Sequence, residues 1–224
     1  MAKFKRIQVA QAMEEVGIIP VFYHHDADVC FRVVEACYKG GLRVFEFTNR
    51  GDFAHEVFAK VIKRLANEYQ DVILGAGSVM DAPTASLYIQ LGANFIVSPV
   101  LNPEIARVCN RRKILWSPGC GTVSEISLAE ELGAEIVKIF PGEQVGGPEF
   151  VASVKGPMPW TSIMPTGGVE PSKQNLSAWF HAGVTCVGMG SKLITGDIIR
   201  DANYELLQQR VEMATEILKE IRKK

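Results

Sequence analysis

Two charged residues interrupt apolar runs of this 224-residue chain: Lys138 in IVKIFP and Glu46 in RVFEFT. A charge flanked by hydrocarbon is costly to bury unless it is paired or faces a polar cavity. Loss of hydration disfavours an ammonium and favours the free amine, the form that attacks a carbonyl. The resulting Schiff base is an electron sink through which a C–C bond one carbon removed can break, with a carboxylate such as Glu46 moving the protons. The bland alternative is a buried Lys–Glu ion pair that only fixes a protein interior. Two glycine-rich segments, PTGGV (165–169) and GMGS (188–191), add backbone N–H groups that an anion can approach closely. Either alone could be no more than a tight turn.

The elements that must position these residues are read from periodicity. Short apolar, β-rich runs fall at 18–23, 43–48, 72–79, 95–99, 114–119, 136–142, 162–168 and 186–191. Amphipathic stretches of helical period separate nearly all of them, among them DADVCFRVVEACYKGG, DFAHEVFAKVIKRLANEY and PSKQNLSAWFHAG. Several open with Asp, Asn, Thr or Pro and close with Gly, the asymmetry of helix caps. Only GGPEFVASVKG, after the sixth run, is short. Eight strands alternating with helices imply an α/β protein, a (β/α)8 TIM barrel closed by right-handed crossovers. A helix at about 3–16 is extra and would cap the barrel bottom, and the run from Asp197 to Lys224 reads as one final helix. The alternative, a doubly wound open sheet, lacks a GxGxxG turn leading into a helix. We expect one domain over residues 1–224.

In a closed barrel the site lies at the C-terminal strand ends, here FTNRG, AGSVM, SPVLNP, SPGCGT, FPGEQVGG, PTGGV and GMGSKL. The period of two puts Val44, Glu46, Thr48 and Arg50 on one face of the second strand, and Ile136, Lys138 and Phe140 on one face of the sixth. Composition narrows the partners. A net charge of −1 from interspersed acids and bases gives no footprint for nucleic acid or an anionic membrane, so a small polar substrate is expected. Five scattered cysteines without a CxxC pair, and no His at metal-ligand spacing, argue against a disulfide framework or a zinc site. A cytoplasmic protein without signal peptide or membrane span is expected. His24 and His25 read as loop residues, Cys120 as packing, and Trp116, Trp160 and Trp179 as core or interface aromatics.

The ordered set FEFTNR, GAGSV, SPVL, PGCGTVSE, KIFPGE, GPMPW, PTGGV and VGMGS, from about Pro20 to Ser191, resembles the 2-keto-3-deoxy-6-phosphogluconate (KDPG) / 4-hydroxy-2-oxoglutarate (KHG) aldolases. The resemblance implies a class I aldolase that needs no metal or other cofactor, is usually a homotrimer, and takes pyruvate and 2-keto-3-deoxy sugar acids. It implies that Lys138 forms the Schiff base and Glu46 is the general acid/base. Arg50, Thr48 and Ser78 would hold the pyruvyl carboxylate and line its pocket. Pro99 and Phe140 would wall that pocket, Thr166 would close it, and Gly167, Gly168 and Ser191 would bind the distal phosphate. Ser78 stands where the family commonly has Thr. Gly51 stands where many members have Thr, and Tyr23-His24-His25 where some have an Arg, so the resemblance leaves open a phosphogalactonate-derived substrate. Two rivals remain at this level: a phosphate-binding isomerase or epimerase that uses Glu46 without a covalent lysine, and a noncatalytic sugar-acid-binding barrel.

Overall fold

A computed structural model describes residues 2–223. The chain opens with α1 (Arg6–Val16), then alternates β1 (Ile18–Phe22), α2 (Ala27–Lys39), β2 (Val44–Thr48), α3 (Ala54–Glu68), β3 (Ile73–Gly77), α4 (Ala82–Leu91), β4 (Phe95–Ser98) and α5 (Pro103–Arg112). It continues with β5 (Leu115–Cys120), α6 (Val123–Glu131), β6 (Val137–Ile139), α7 (Gly147–Lys155), β7 (Ile163–Pro165), α8 (Lys173–His181), β8 (Val187–Met189), α9 (Gly196–Arg200) and α10 (Tyr204–Arg222). The parallel strands run in the order β7-β6-β5-β4-β3-β2-β1-β8, and the bridge Thr166 to Gly188 closes the ring between β7 and β8. This is the expected (β/α)8 barrel with its extra N-terminal helix.

The helix starts follow the sequence signals. Side chains of Asp26, Asp81, Asn102, Thr122 and Ser172 accept bonds from backbone N–H groups of α2, α4, α5, α6 and α8, satisfying donors that a helix leaves orphaned at its first turn. Two boundaries differ from expectation. The run from Asp197 onward is not one helix: it breaks between α9 and α10, where Ala202 has φ 48° and the Asn203 side chain caps a new start at Leu206 N–H. Lys224 lies outside the described residues. The last three strands are only three residues long, and the segments that follow β6 and β7 stay joined, Gly142 N–H donating to Thr166 O and Glu143 N–H to Gly167 O. The segment after β6, short in the sequence, still forms a nine-residue helix, the same length as α6.

Strand alternation sorts the core into two layers. Phe45, Phe47, Leu74, Ala76, Ile96, Trp116, Val137 and Ile139 face outward against the helices. Ile19, Val44, Ile73, Phe95, Val97, Leu115, Ile136, Met164 and Cys186 face inward. α1 plugs the bottom of the inner layer with Val9, Ala12 and Met13, spaced to share one helix face. Arg222 at the end of α10 fastens that plug, donating to the carbonyls of Glu14 (2.7 Å), Glu15 (2.8 Å) and Thr185 (3.1 Å). Trp116 and Trp179 are core residues, whereas Trp160 is 70% exposed. Among the described residues, no helix is long and apolar enough to cross a membrane.

Candidate active site

The strand registers set which inward residues come level. Val21 pairs with Glu46, Glu46 with Gly75, Val97 with Ser117, Gly119 with Lys138, Lys138 with Met164, and Ile19 with Gly188. With the stagger of such a barrel, residues from alternate strands share a level. Ile73 and Leu115, with Val44, Phe95, Ile136 and Cys186 above them, therefore form the apolar floor over α1. Above it lie Ile19, Gly75, Ser117 and Met164, and above these Glu46, Val97, Lys138 and Gly188. The next level is Val21, Gly77, Gly119 and Thr166, and the rim is Thr48, Pro99, Phe140 and Gly190. Among these inward residues Lys138 and Glu46 carry the only charges, both buried.

They meet across the interior. Lys138 Nζ lies 3.5 Å from Glu46 Oε1, with side chains 6% and 1% exposed. The other carboxylate oxygen, Oε2, is buried without a hydrogen-bond partner. A buried carboxylate with a free oxygen is costly, and that oxygen is available to a substrate hydroxyl or a water. The Phe140 ring lies 5.3 Å from the Lys138 ammonium.

Glycines make room for the groups packed around the pair. A Cβ on Gly77 would sit 2.5 Å from Glu46 Cδ, 2.7 Å from Cγ and closer still to Oε1. A Cβ on Gly119 would run into the Pro99 backbone, and one on Gly188 into the Thr166 hydroxyl, which is itself buried without a partner. Pro99 and Thr166 thereby pack closely against glycines on the neighbouring strands. Thr48 is buried at the rim on the Glu46 face.

Arg50 leaves the strand pattern, because β2 ends at Thr48 and the Arg50 side chain is exposed. Its Nε donates to Ser78 Oγ at 3.3 Å, across from the end of β3. Ser78 adopts φ 57°, the sharp turn that brings its hydroxyl to Arg50. An edge-to-face aromatic cluster of Phe47, Phe58 and Tyr88, with ring centroids 5.4 and 5.1 Å apart, supports this end of β2, and Tyr88 OH donates to Asn49 Oδ1. Gly167 and Gly168 take φ 96° and 78°, a left-handed path that glycine adopts without strain. Asn175 Nδ2 and Trp179 Nε1 donate to the Gly168 carbonyl and fix its orientation. Ser191 is exposed beside them after β8.

Sequence reasoning missed three features of this region. Ser117 is fully buried one level below the pair, facing inward with an unpaired hydroxyl, and its place in an ordinary strand pattern gave no signal. Gly51 and Tyr23 prove to be one feature: a Cβ on Gly51 would lie 2.8 Å from Tyr23 Cε1 and Cζ, so the glycine accommodates the phenol. Glu170 and Lys192 form an ion pair beside the glycine-rich rim. His24 belongs to the turn before α2, where its Nδ1 accepts from Asp26 N–H and its ring stacks on His25. Burial raises the Cys120 thiol to about 12, which suits packing and not nucleophilic work. Among the described residues, no group of three or more His, Cys, Asp or Glu is placed to hold a metal ion.

A closed barrel with an amine and a carboxylate buried beneath its glycine-rich strand ends suits chemistry on a carbonyl compound. Residues 9–210 match the family model described as KDPG and KHG aldolase. The chain is 30% identical over 212 residues to a 2-dehydro-3-deoxy-phosphogluconate aldolase of Haemophilus influenzae, covering 95% of this chain and 97% of that one. It is 29% identical to a KHG/KDPG aldolase of Escherichia coli, covering 89% and 91%. The structure of a KDPG aldolase from Legionella pneumophila, with pyruvate captured as a covalent carbinolamine, superposes with a TM-score of 0.84 at 26% identity, covering 92% of this chain and 98% of that one. This chain belongs to the KDPG and KHG aldolase family, class I aldolases among the lyases.

Proposed function

We propose that the protein reversibly cleaves 2-keto-3-deoxy-6-phosphogluconate to pyruvate and glyceraldehyde 3-phosphate, and 4-hydroxy-2-oxoglutarate to pyruvate and glyoxylate, with Lys138 as Schiff-base lysine. The observation that carries the assignment is the 3.5 Å Lys138–Glu46 pair under the glycine-lined mouth. Lys138 passes its ammonium proton to Glu46 and adds to the C2 ketone, and Glu46, directly or through a water, returns that proton to the C2 oxygen, which leaves as water to give the iminium. Glu46 takes the C4 hydroxyl proton while the C3–C4 bond breaks, its electrons moving into the enamine. The aldehyde leaves, the enamine is protonated at C3, and hydrolysis of the imine frees pyruvate and Lys138.

Arg50, which donates to Ser78, would pair with the pyruvyl carboxylate, and Thr48 and Ser78 would line the same pocket. Pro99 and Phe140 wall the cavity, and Thr166 closes it with its unpaired hydroxyl. Gly167, Gly168 and Ser191 would receive the distal phosphate through the rim. A homotrimer fits the apolar residues exposed on the loops after β2, β3 and β4, namely Phe53 (69%), Met80 (52%) and Val100 (41%). Five buried thiols, none of them in a disulfide, fit a cytoplasmic protein.

Borohydride reduction in the presence of pyruvate should add a pyruvyl group at Lys138 in the intact mass and its peptide map. The absence of an adduct would sink the covalent mechanism. Pyruvate release measured across phosphogluconate-derived, phosphogalactonate-derived and oxoglutarate-derived keto acids assigns the substrate.

A further inference from the structure

The rim after β7 and β8 carries charges that the reaction scheme does not use. Lys192, next to Ser191, places its ammonium 2.7 Å from Glu170 Oε1, and Glu170 lies two residues beyond Gly168. The two side chains are 61% and 43% exposed. A third charge belongs to the same group: a Cβ on Gly168 would lie 3.0 Å from Glu143 Oε2. Glu170, first by hydrogen bond, and Glu143, more weakly through space, both hold the Lys192 ammonium above its ordinary range. The backbone of Lys192 is fixed from below, because Arg210 Nη2 donates to its carbonyl at 2.7 Å. Its side chain is therefore a long, exposed stem rooted at a fixed point on the rim.

We propose that Lys192 is a specificity-determining residue, the cation that meets the distal phosphate of the substrate, and that Glu170 is its resting partner. The inference rests on the phosphate-rim reading of Gly167, Gly168 and Ser191. An exposed ion pair is worth little, so releasing Glu170 costs little. A phosphate monoester carries between one and two negative charges at neutral pH, more than one carboxylate offers. It would arrive beside Ser191 within the sweep of the lysine stem. Without Lys192 the same rim presents Glu143 and Glu170 to the phosphate, two carboxylates that repel it. The pair thus sets how strongly phosphorylated keto acids are preferred over the same acids without phosphate.

The test compares kcat/KM for 2-keto-3-deoxy-6-phosphogluconate and for unphosphorylated 2-keto-3-deoxygluconate in wild type, Lys192→Met, Lys192→Arg and Glu170→Gln. Lys192→Met should lower the phosphorylated-to-unphosphorylated ratio by about tenfold at low salt, mainly through KM, with a smaller effect at high ionic strength. Lys192→Arg should restore most of the ratio, and Glu170→Gln should raise it severalfold. A Lys192→Met enzyme whose two activities fall together, or whose ratio stays at the wild-type value, overturns the proposal while leaving the glycine rim in place. If wild type shows no preference for the phosphorylated acid and inorganic phosphate does not inhibit it, the rim reading fails and this inference with it.

Discussion

Replacing Gly77 with alanine puts a methyl carbon against Glu46, the carboxylate proposed to move the protons. The added Cβ would lie 2.5 Å from Glu46 Cδ and 2.7 Å from Cγ, whereas ordinary packing separates carbons by roughly 3.5–4.0 Å. The Glu46 side chain must therefore retreat by about 1 Å, and the close-packed barrel around it yields little. A displacement of about 1 Å of a catalytic group costs on the order of 100-fold in rate. Overpacking should also cost about 1–3 kcal/mol of stability. Gly75→Ala is the matched control: its Cβ would meet the Phe95 ring, an apolar neighbour. Both variants should lose stability by similar amounts, but Gly77→Ala alone should lose kcat by about two orders of magnitude in a pyruvate-release assay normalised to folded protein. A Gly77→Ala enzyme with near wild-type kcat would refute the view that Glu46 is positioned by the absence of a side chain on β3.

Three further outcomes follow from the same geometry. Lys138→Met should abolish the borohydride-trapped adduct and, by leaving Glu46 buried without its counter-charge, destabilise the fold by about 3–5 kcal/mol in urea denaturation; adding Glu46→Gln should recover most of that loss. No cysteine should react with a thiol reagent at pH 8 without denaturant, because all five are buried and burial raises Cys30, Cys109, Cys120 and Cys186 to about 12 and Cys37 beyond that range; rapid labelling of the native protein would contradict this. For Glu35, burial alone would raise the carboxyl, but hydrogen bonds from Tyr69, Lys39 and Arg32 outweigh it and hold the group at about 2, against an ordinary 4.5. As pH falls through this interval the unfolded chain takes up the proton first, so stability present above pH 4.5 is lost progressively towards pH 2. Glu35→Gln should flatten that part of the Tm-against-pH curve, and a curve as steep as wild type would count against the assignment.

Much of the fold was legible because burial imprints a period on each element separately. Eight strands of period two, alternating with amphipathic helices capped by Asp, Asn, Thr and Ser, leave few arrangements other than a closed barrel. Lys138 and Glu46 stood out for the same reason, each a charge where its neighbours demanded hydrocarbon. The C-terminal break escaped the reading because the amphipathic pattern hides a single left-handed residue, Ala202.

What only the tertiary structure decided is which residues meet. The sequence by itself determined the inward face of each strand, the glycine-rich strand ends and the two anomalous charges. Whether those charges touch depends on the stagger between β2 and β6, summed over the strands between them, which no local pattern encodes. The same closure brings Gly77 against Glu46, Tyr23 against Gly51, and Lys192 against Glu170. These contacts join residues distant in the chain, and their distances follow from how the ring of strands closes, not from any spacing along it.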